Sequence, residues 1–240
     1  MSIFTSIILG IVQGLTEFLP ISSTAHLTIA GKVLGLIDPS RPEEWTAYIA
    51  VMQMGTLLAV IIYFFKDLIG ITRGFVVDGI QFIRTPAKGP GNARMGWYII
   101  LGTLPVATIG ILLKKIIEGR ITKNLTVIGI SLIALALILW FAEEYGSRTK
   151  KINDATWLDS FLIGCAQALA LIPGSSRSGT TITAALLLGI SREDAARFSF
   201  LLSSFDGRHP VIASLFALHF IEISRLKFFG GRCRIRRSRI

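Results

Sequence analysis

The sequence predicts an all-α, polytopic membrane protein with two inverted repeats containing broken or re-entrant helices, and three observations predict it. Of 240 residues, 52% are hydrophobic and 17% charged, and the mean hydropathy of +0.63 lies on the membrane side of soluble composition. Three uncharged runs, Trp45–Phe65, Gly96–Leu113 and Leu125–Ala142, are long enough to cross a bilayer. One short passage also occurs twice. Gly10-Ile-Val-Gln13-Gly-Leu-Thr-Glu17-Phe-Leu-Pro20-Ile-Ser22-Ser23 returns as Gly164-Cys-Ala-Gln167-Ala-Leu-Ala-Leu-Ile-Pro173-Gly-Ser175-Ser176. Interrupted apolar segments at matching places in two halves of a membrane protein tend to mark its binding site.

In chain order, residues 1–31 hold Glu17, Pro20 and His26 within an apolar stretch, so a broken helix is expected there rather than a plain span. The helix should stop near Leu19, because a proline disfavours helical backbone in the residue before it. Ser22, Ser23 and Thr24 then follow as caps for a new helix. A turn-rich link, Asp38-Pro39-Ser40-Arg41-Pro42, leads to the Trp45–Phe65 span. Leu68–Arg84 mixes apolar residues with Arg73, Asp78 and Arg84, as suits a helix in the interface. Residues 85–91 form a loop on proline and glycine content. Two clean spans follow, joined by the basic stretch 114–123. The polar connector Glu143–Asp154 opens the second broken element, in which Ser160–Ser176 is barely long enough to cross and Ser178–Ser191 is too short. Pro210–Ile221 is also too short. No β-barrel alternation appears.

A single integral membrane domain is expected over residues 1–240, with repeat one at about 1–113, repeat two at about 125–224 and a basic tail at 225–240. The net charge of +10 is carried by segments between and after apolar runs. That pattern fits loops facing anionic lipid and argues against nucleic acid as a partner. Three successive basic loops leave orientation undecided. Cys165 and Cys233 suggest neither a disulfide framework nor a zinc site. The first residues lack the basic start and small-residue cleavage site of a signal peptide.

Charged groups at membrane depth are costly and require a reason. Gln13 and Glu17 are four apart and share a helix face. With Ser22, Ser23, Thr24 and His26 they can converge on one break, supplying the parts for metal binding, nucleophilic attack or proton transfer. The second break, Pro173-Gly174-Ser175-Ser176-Arg177-Ser178-Gly179-Thr180-Thr181, combines backbone amides, hydroxyls, a helix N-terminus and a guanidinium. That set suits an anion, and the arginine fork matches phosphate oxygens. A small-residue patch for helix packing would need no arginine. An anionic head group on a lipid tail, entering from the bilayer, is the expected ligand.

At these residues the chain resembles the undecaprenyl-diphosphate phosphatase family, bacterial membrane enzymes linked to bacitracin resistance. The resemblance rests on Gln13 to His26, on Pro173 to Gly179 and on Phe198-Ser-Phe-Leu-Leu202, and covers roughly residues 1–203. It implies hydrolysis of the terminal phosphate from a C55 polyprenyl diphosphate lipid, in the bacterial plasma (inner) membrane, with a divalent metal, Mg2+ or Ca2+. Glu17, Ser23, His26 and Arg177 are the implied catalytic residues, and Glu17 and Gln13 the metal ligands. Ser22, Thr24, Gly174, Ser175, Ser176, Ser178, Gly179 and Thr180 are expected to bind substrate. The first acidic position of the family motif is Gln13 here, which leaves Glu17 as the clear carboxylate. Ser23, His26 and water remain alternative nucleophiles, and a homodimer is left open.

After Ser203 the resemblance is expected to fade. Asp206, Gly207, Arg208 and His209 interrupt the apolar run and the end is strongly basic. A frame change or truncation in the coding sequence is one explanation, and a tail attracted to anionic lipid is another. The rival function is a lipid-phosphate transporter or scramblase, since inverted repeats with broken helices are common there.

Overall fold

The structure, a computed structural model, describes residues 2–38, 40–84, 91–113, 125–172 and 174–204. Pro173, residues 85–90, the basic stretch 114–123 and everything from 205 onward, including the 210–221 run and the basic tail, lie outside the described residues.

Nine α-helices are present among the described residues: α1 (Ile3–Phe18), α2 (Ser23–Val33), α3 (Pro42–Tyr63), α4 (Phe65–Arg84), α5 (Gly91–Leu112), α6 (Leu125–Tyr145), α7 (Trp157–Leu169), α8 (Arg177–Leu187) and α9 (Arg192–Ser204). A 3₁₀ turn occupies Ile152–Asp154. The described residues hold no β-strand beyond one isolated bridge, Lys150 to Ile190. Glu44–Tyr63, Gly91–Leu112 and Leu125–Tyr145 are long and apolar enough to cross a membrane. The chain is an all-helical polytopic membrane protein.

Each boundary has a local cause. Ser2 caps α1 by accepting from the Thr5 amide at 3.1 Å. The helix ends at Phe18 because Leu19, before Pro20, is extended at φ −82° and ψ 147°. Pro42 opens α3 at a position where a missing N–H costs nothing. Gly91, expected in the preceding loop, instead begins α5. The stretch expected in the interface is helical as α4 and packs along α5. Asn92 and Ala93 of α5 approach Gly74 so closely that a Cβ there would lie 3.0 Å from the Ala93 nitrogen. Trp97 fixes the pair by donating to Gly79 O at 3.0 Å.

Apolar side chains face outward as well as inward. Ile3, Ile7, Ile11 and Leu15 recur every four residues along α1, and all are exposed. Hydrocarbon, not water, is the solvent such a stripe suits. The interior relies on close backbone approach instead: a Cβ on Gly164 of α7 would collide with the Gly102 backbone of α5. Around that contact lies a core that includes Phe198, Leu186 and Leu202. A smaller core joins Leu9, Leu27, Trp45 and Ile49.

Charged pairs gather where α6 ends and where α7 and α9 begin. Thr156 and Asp159 form a capping box on α7, and Lys150 pairs with Asp159. Arg192 pairs with Glu143, and Arg197 of α9 meets Asp67 of α4 at 2.8 Å.

The two broken elements share a local plan. In each, a helix stops, the chain turns, and an 11-residue helix follows. A left-handed glycine then ends the unit, Gly35 at φ 65° and Gly189 at φ 81°. The two hairpins, α1–α2 and α7–α8, touch at Gly179, where a Cβ would lie 3.3 Å from Pro20 O and 2.7 Å from Leu135 Cδ2. Gly174, at φ 88°, lets the second break press onto α6, where a Cβ would meet Ile128 O at 2.5 Å.

Candidate active site

The end of α1, the start of α2 and the start of α8 enclose a cleft of about 90 Å³, closed on its other sides by α3 and α9. Glu17 on the last turn of α1 is its centre. Its Oε1 accepts from Arg177 Nη2 at 3.0 Å, while Oε2 accepts from Ser23 Oγ and from Gln13 Nε2 at 3.1 Å. The ion pair is well shielded, with the Arg177 and Glu17 side chains 19% and 16% exposed. Two donors of different kinds and one guanidinium therefore share a single carboxylate.

Local backbone sets these directions. Ser22 takes the N-cap place of α2 in a left-handed conformation, φ 65° and ψ 93°, without a capping bond from its side chain. The expected serine cap is thus absent at this break; Ser22 turns the chain, and Ser23 is aimed at Glu17 rather than at an amide. His26 Nδ1 lies 2.9 Å from Ser22 O and so braces the same turn. At the second break the cap does form: Ser176 Oγ accepts from the Gly179 amide at 3.1 Å and lies 3.1 Å from Ser178 Oγ. Ser178 Oγ in turn reaches Leu19 O at 3.2 Å, hydrogen-bonding one hairpin to the other.

Gln13 is 1% exposed. Its amide nitrogen faces Glu17 and, at 3.4 Å, Thr56 Oγ1. Thr56 donates its own proton to Gln53 O at 2.9 Å, so it can only accept from Gln13. That network assigns the amide: Nε2 points to Glu17, and the buried Oε1 has no hydrogen-bond partner. Among the described residues no group of three or more His, Cys, Asp or Glu surrounds a metal-sized position.

The family model described as bacitracin resistance protein BacA matches residues 6–227. The chain belongs to the BacA family. It is 52% identical over 233 residues to an undecaprenyl-diphosphatase of Syntrophobacter fumaroxidans, covering 97% of this chain and 80% of that protein. An undecaprenyl-diphosphatase of Myxococcus xanthus is 52% identical over 203 residues, covering 85% of this chain and 65% of the relative. One from Chlorobaculum tepidum is 46% identical over 230 residues, covering 93% and 76%. The match to residue 227 corrects the expectation that the resemblance fades at Ser203.

Within this BacA family member, the residues singled out in the sequence separate into two groups. Glu17, Ser22, Ser23, Thr24, Ser175, Ser176, Arg177 and Ser178 line the cleft. Gly174, Gly179 and Thr180 do not; the glycines permit backbone approach, and Thr180 Oγ1 returns to Arg177 O at 3.0 Å. His26 is not among the lining residues either, and Gln13 stands behind Glu17 rather than in the wall. Pro173 is outside the described residues. Sequence reasoning missed Gln53 and Thr56 on α3 and Ser199, Phe200 and Ser203 on α9, all of which line the cleft. A glutamine and a threonine three apart in an otherwise apolar span, and two serines four apart, were the available signals.

Proposed function

We propose that this protein hydrolyses undecaprenyl diphosphate to undecaprenyl phosphate and inorganic phosphate, recycling the lipid carrier of cell-wall synthesis and so conferring bacitracin resistance. It would act in the bacterial inner membrane, with two repeats of opposite topology bringing their breaks together. The observation that carries this reading is the meeting of Glu17 and Arg177, 160 residues apart, inside a cleft of hydroxyls. A carboxylate that accepts a hydrogen bond from a serine hydroxyl, next to a guanidinium, is equipped for phosphoryl transfer.

The diphosphate would draw Arg177 from Glu17 onto its phosphoryl oxygens, which a planar fork engages in pairs. Released from that partner, Glu17 takes the Ser23 proton. Ser23 Oγ then bonds to the terminal phosphorus, while the bond from that phosphorus to the bridging oxygen breaks. Undecaprenyl phosphate leaves with the electron pair, and Glu17 passes the proton to its departing oxygen, which frees the carboxylate for the second half. Water, giving a proton to Glu17, cleaves the phosphoserine, and the proton returns to Ser23 as phosphate departs. Arg177 and the amides at the start of α8 face the charge that builds on the transferring group. With Nδ1 held by Ser22 O, His26 keeps Nε2 for moving protons at the edge of the turn.

A divalent cation, magnesium or calcium, fits beside Glu17. Gln13 Oε1 is a buried oxygen without a hydrogen-bond partner, on the amide whose nitrogen contacts the carboxylate, and one or two protein oxygens plus substrate phosphates are the usual set for magnesium. When bound, the cation would offset phosphate charge.

The test is phosphate release from undecaprenyl diphosphate by the purified protein in detergent, with and without added cation. Metal-dependent release is expected. Binding of the lipid without release would favour a carrier instead.

A further inference from the structure

The Phe198–Leu202 motif has no part in the chemistry above, yet it places a buried hydroxyl in the cleft. Phe198, Leu201 and Leu202 are at most 1% exposed and belong to the core, while Ser199 is 3% exposed and lines the cleft. Phe200 locks this stretch in place, edge-on to Phe18 with ring centroids 5.6 Å apart and 6.4 Å from Phe64. The other cleft serine of α9, Ser203, commits its proton to Phe200 O at 2.9 Å. Ser199 behaves differently. Its Oγ lies 2.6 Å from Thr181 Oγ1 on α8, and either can donate.

Proton counting shows what that pair can do. Thr181 has one proton and three acceptors within reach: Arg177 O at 2.9 Å, Ser178 O at 3.2 Å and Ser199 Oγ. When Thr181 donates to Arg177 O, Ser199 must donate to Thr181, and it then shows the cleft only lone pairs. When Thr181 donates to Ser199, the Ser199 proton is free for the cleft. An anion favours the second arrangement, and reaching it needs only two hydroxyl rotations. Arg177 O, inside the helix, keeps its main-chain partner meanwhile.

Resting on the phosphatase reading, we propose that Ser199 is a substrate-binding residue whose hydroxyl donates to a phosphate oxygen of the diphosphate while accepting from Thr181. The two hydroxyls form a switchable relay from α8 through α9 to the substrate. It brings α9, which belongs to neither broken hairpin, into recognition of the anion.

The experiment measures kcat and KM for phosphate release from undecaprenyl diphosphate by the full chain and by Ser199→Ala, Ser199→Cys, Thr181→Val and the Ser199→Ala/Thr181→Val double variant. Melting midpoints are recorded beside the kinetics. Wild-type release is established first; its absence would count against the phosphatase reading itself. Given that release, Ser199→Ala should lose about tenfold to a hundredfold in kcat/KM, the size of one hydrogen bond to a charged group. Ser199→Cys keeps the shape but is a weak donor, so it should resemble alanine rather than wild type. The double variant should be no worse than Ser199→Ala, because Thr181 acts through Ser199. Either single Ser199 variant within twofold of wild type would overturn the proposal. So would losses that multiply in the double variant, or a cysteine variant that restores activity.

Discussion

Arg177 Nη2 donates to Glu17 Oε1 at 3.0 Å, joining the first turn of α8 to the last turn of α1. Both side chains are largely shielded, and each offsets a charge that would be costly to bury alone. On the proposed function, the pair is the resting state from which a phosphate would take the guanidinium.

Arg177→Lys keeps the charge but replaces the fork by a point donor. Phosphate release should fall by about a hundredfold, the scale of losing one well-placed charge-stabilising donor. A steady-state assay on purified protein checks it, and turnover within a few-fold of wild type would rule out a forked grip.

Glu17→Gln should abolish release and also weaken the fold, since it removes the carboxylate charge from the Glu17–Arg177 ion pair. Removing one member of a buried pair costs about 3–5 kcal/mol. A lowered melting midpoint in detergent is the measurement. A midpoint equal to wild type would mean that the guanidinium is solvated elsewhere.

Gln13→Glu converts the donor facing Glu17 into a second carboxylate. Two such groups side by side repel unless a cation lies between them. Stabilisation by magnesium or calcium, read as the rise in melting midpoint with added metal, should therefore be larger in this variant than in wild type. An equal rise in both would place the cation away from Gln13.

Gly174→Ala should destabilise by more than a typical surface change. The residue sits at φ 88°, and the added carbon would lie 2.5 Å from Ile128 O on α6. Ser22→Gly should do the reverse, because glycine adopts the left-handed φ of 65° without penalty. An increase of up to about 1 kcal/mol is expected, read by melting. A destabilised Ser22→Gly would indicate that the Ser22 side chain holds the turn.

Much of the helical layout was legible before any coordinates. The Leu125–Ala142 run became α6, extended by three residues to Tyr145, and the stop at Leu19 followed from Pro20 alone. Capping was harder. Ser22 and Ser176 look alike in sequence, yet Ser176 caps α8 through Gly179 N whereas Ser22 adopts a left-handed turn without a cap. The difference lies in what each break packs against. The start of α5 was also misread at Gly91, since a glycine beside a proline-rich stretch reads as loop until the contact of Asn92 and Ala93 with Gly74 of α4 is known.

By itself the sequence determined the helical class, the apolar spans, the two breaks and the unusual polar residues within them. Those features depend on side-chain periodicity and on steric rules that act over a few neighbouring residues. Only the tertiary structure decided that Glu17 receives Arg177, that the Gln13 nitrogen rather than its oxygen faces the carboxylate, and that Thr56 and Ser199 complete the walls. The Gln13–Thr56 and Glu17–Arg177 contacts link residues 43 and 160 positions apart. They arise from how closely the helices approach at Gly164, Gly174 and Gly179, a packing outcome that local sequence does not encode.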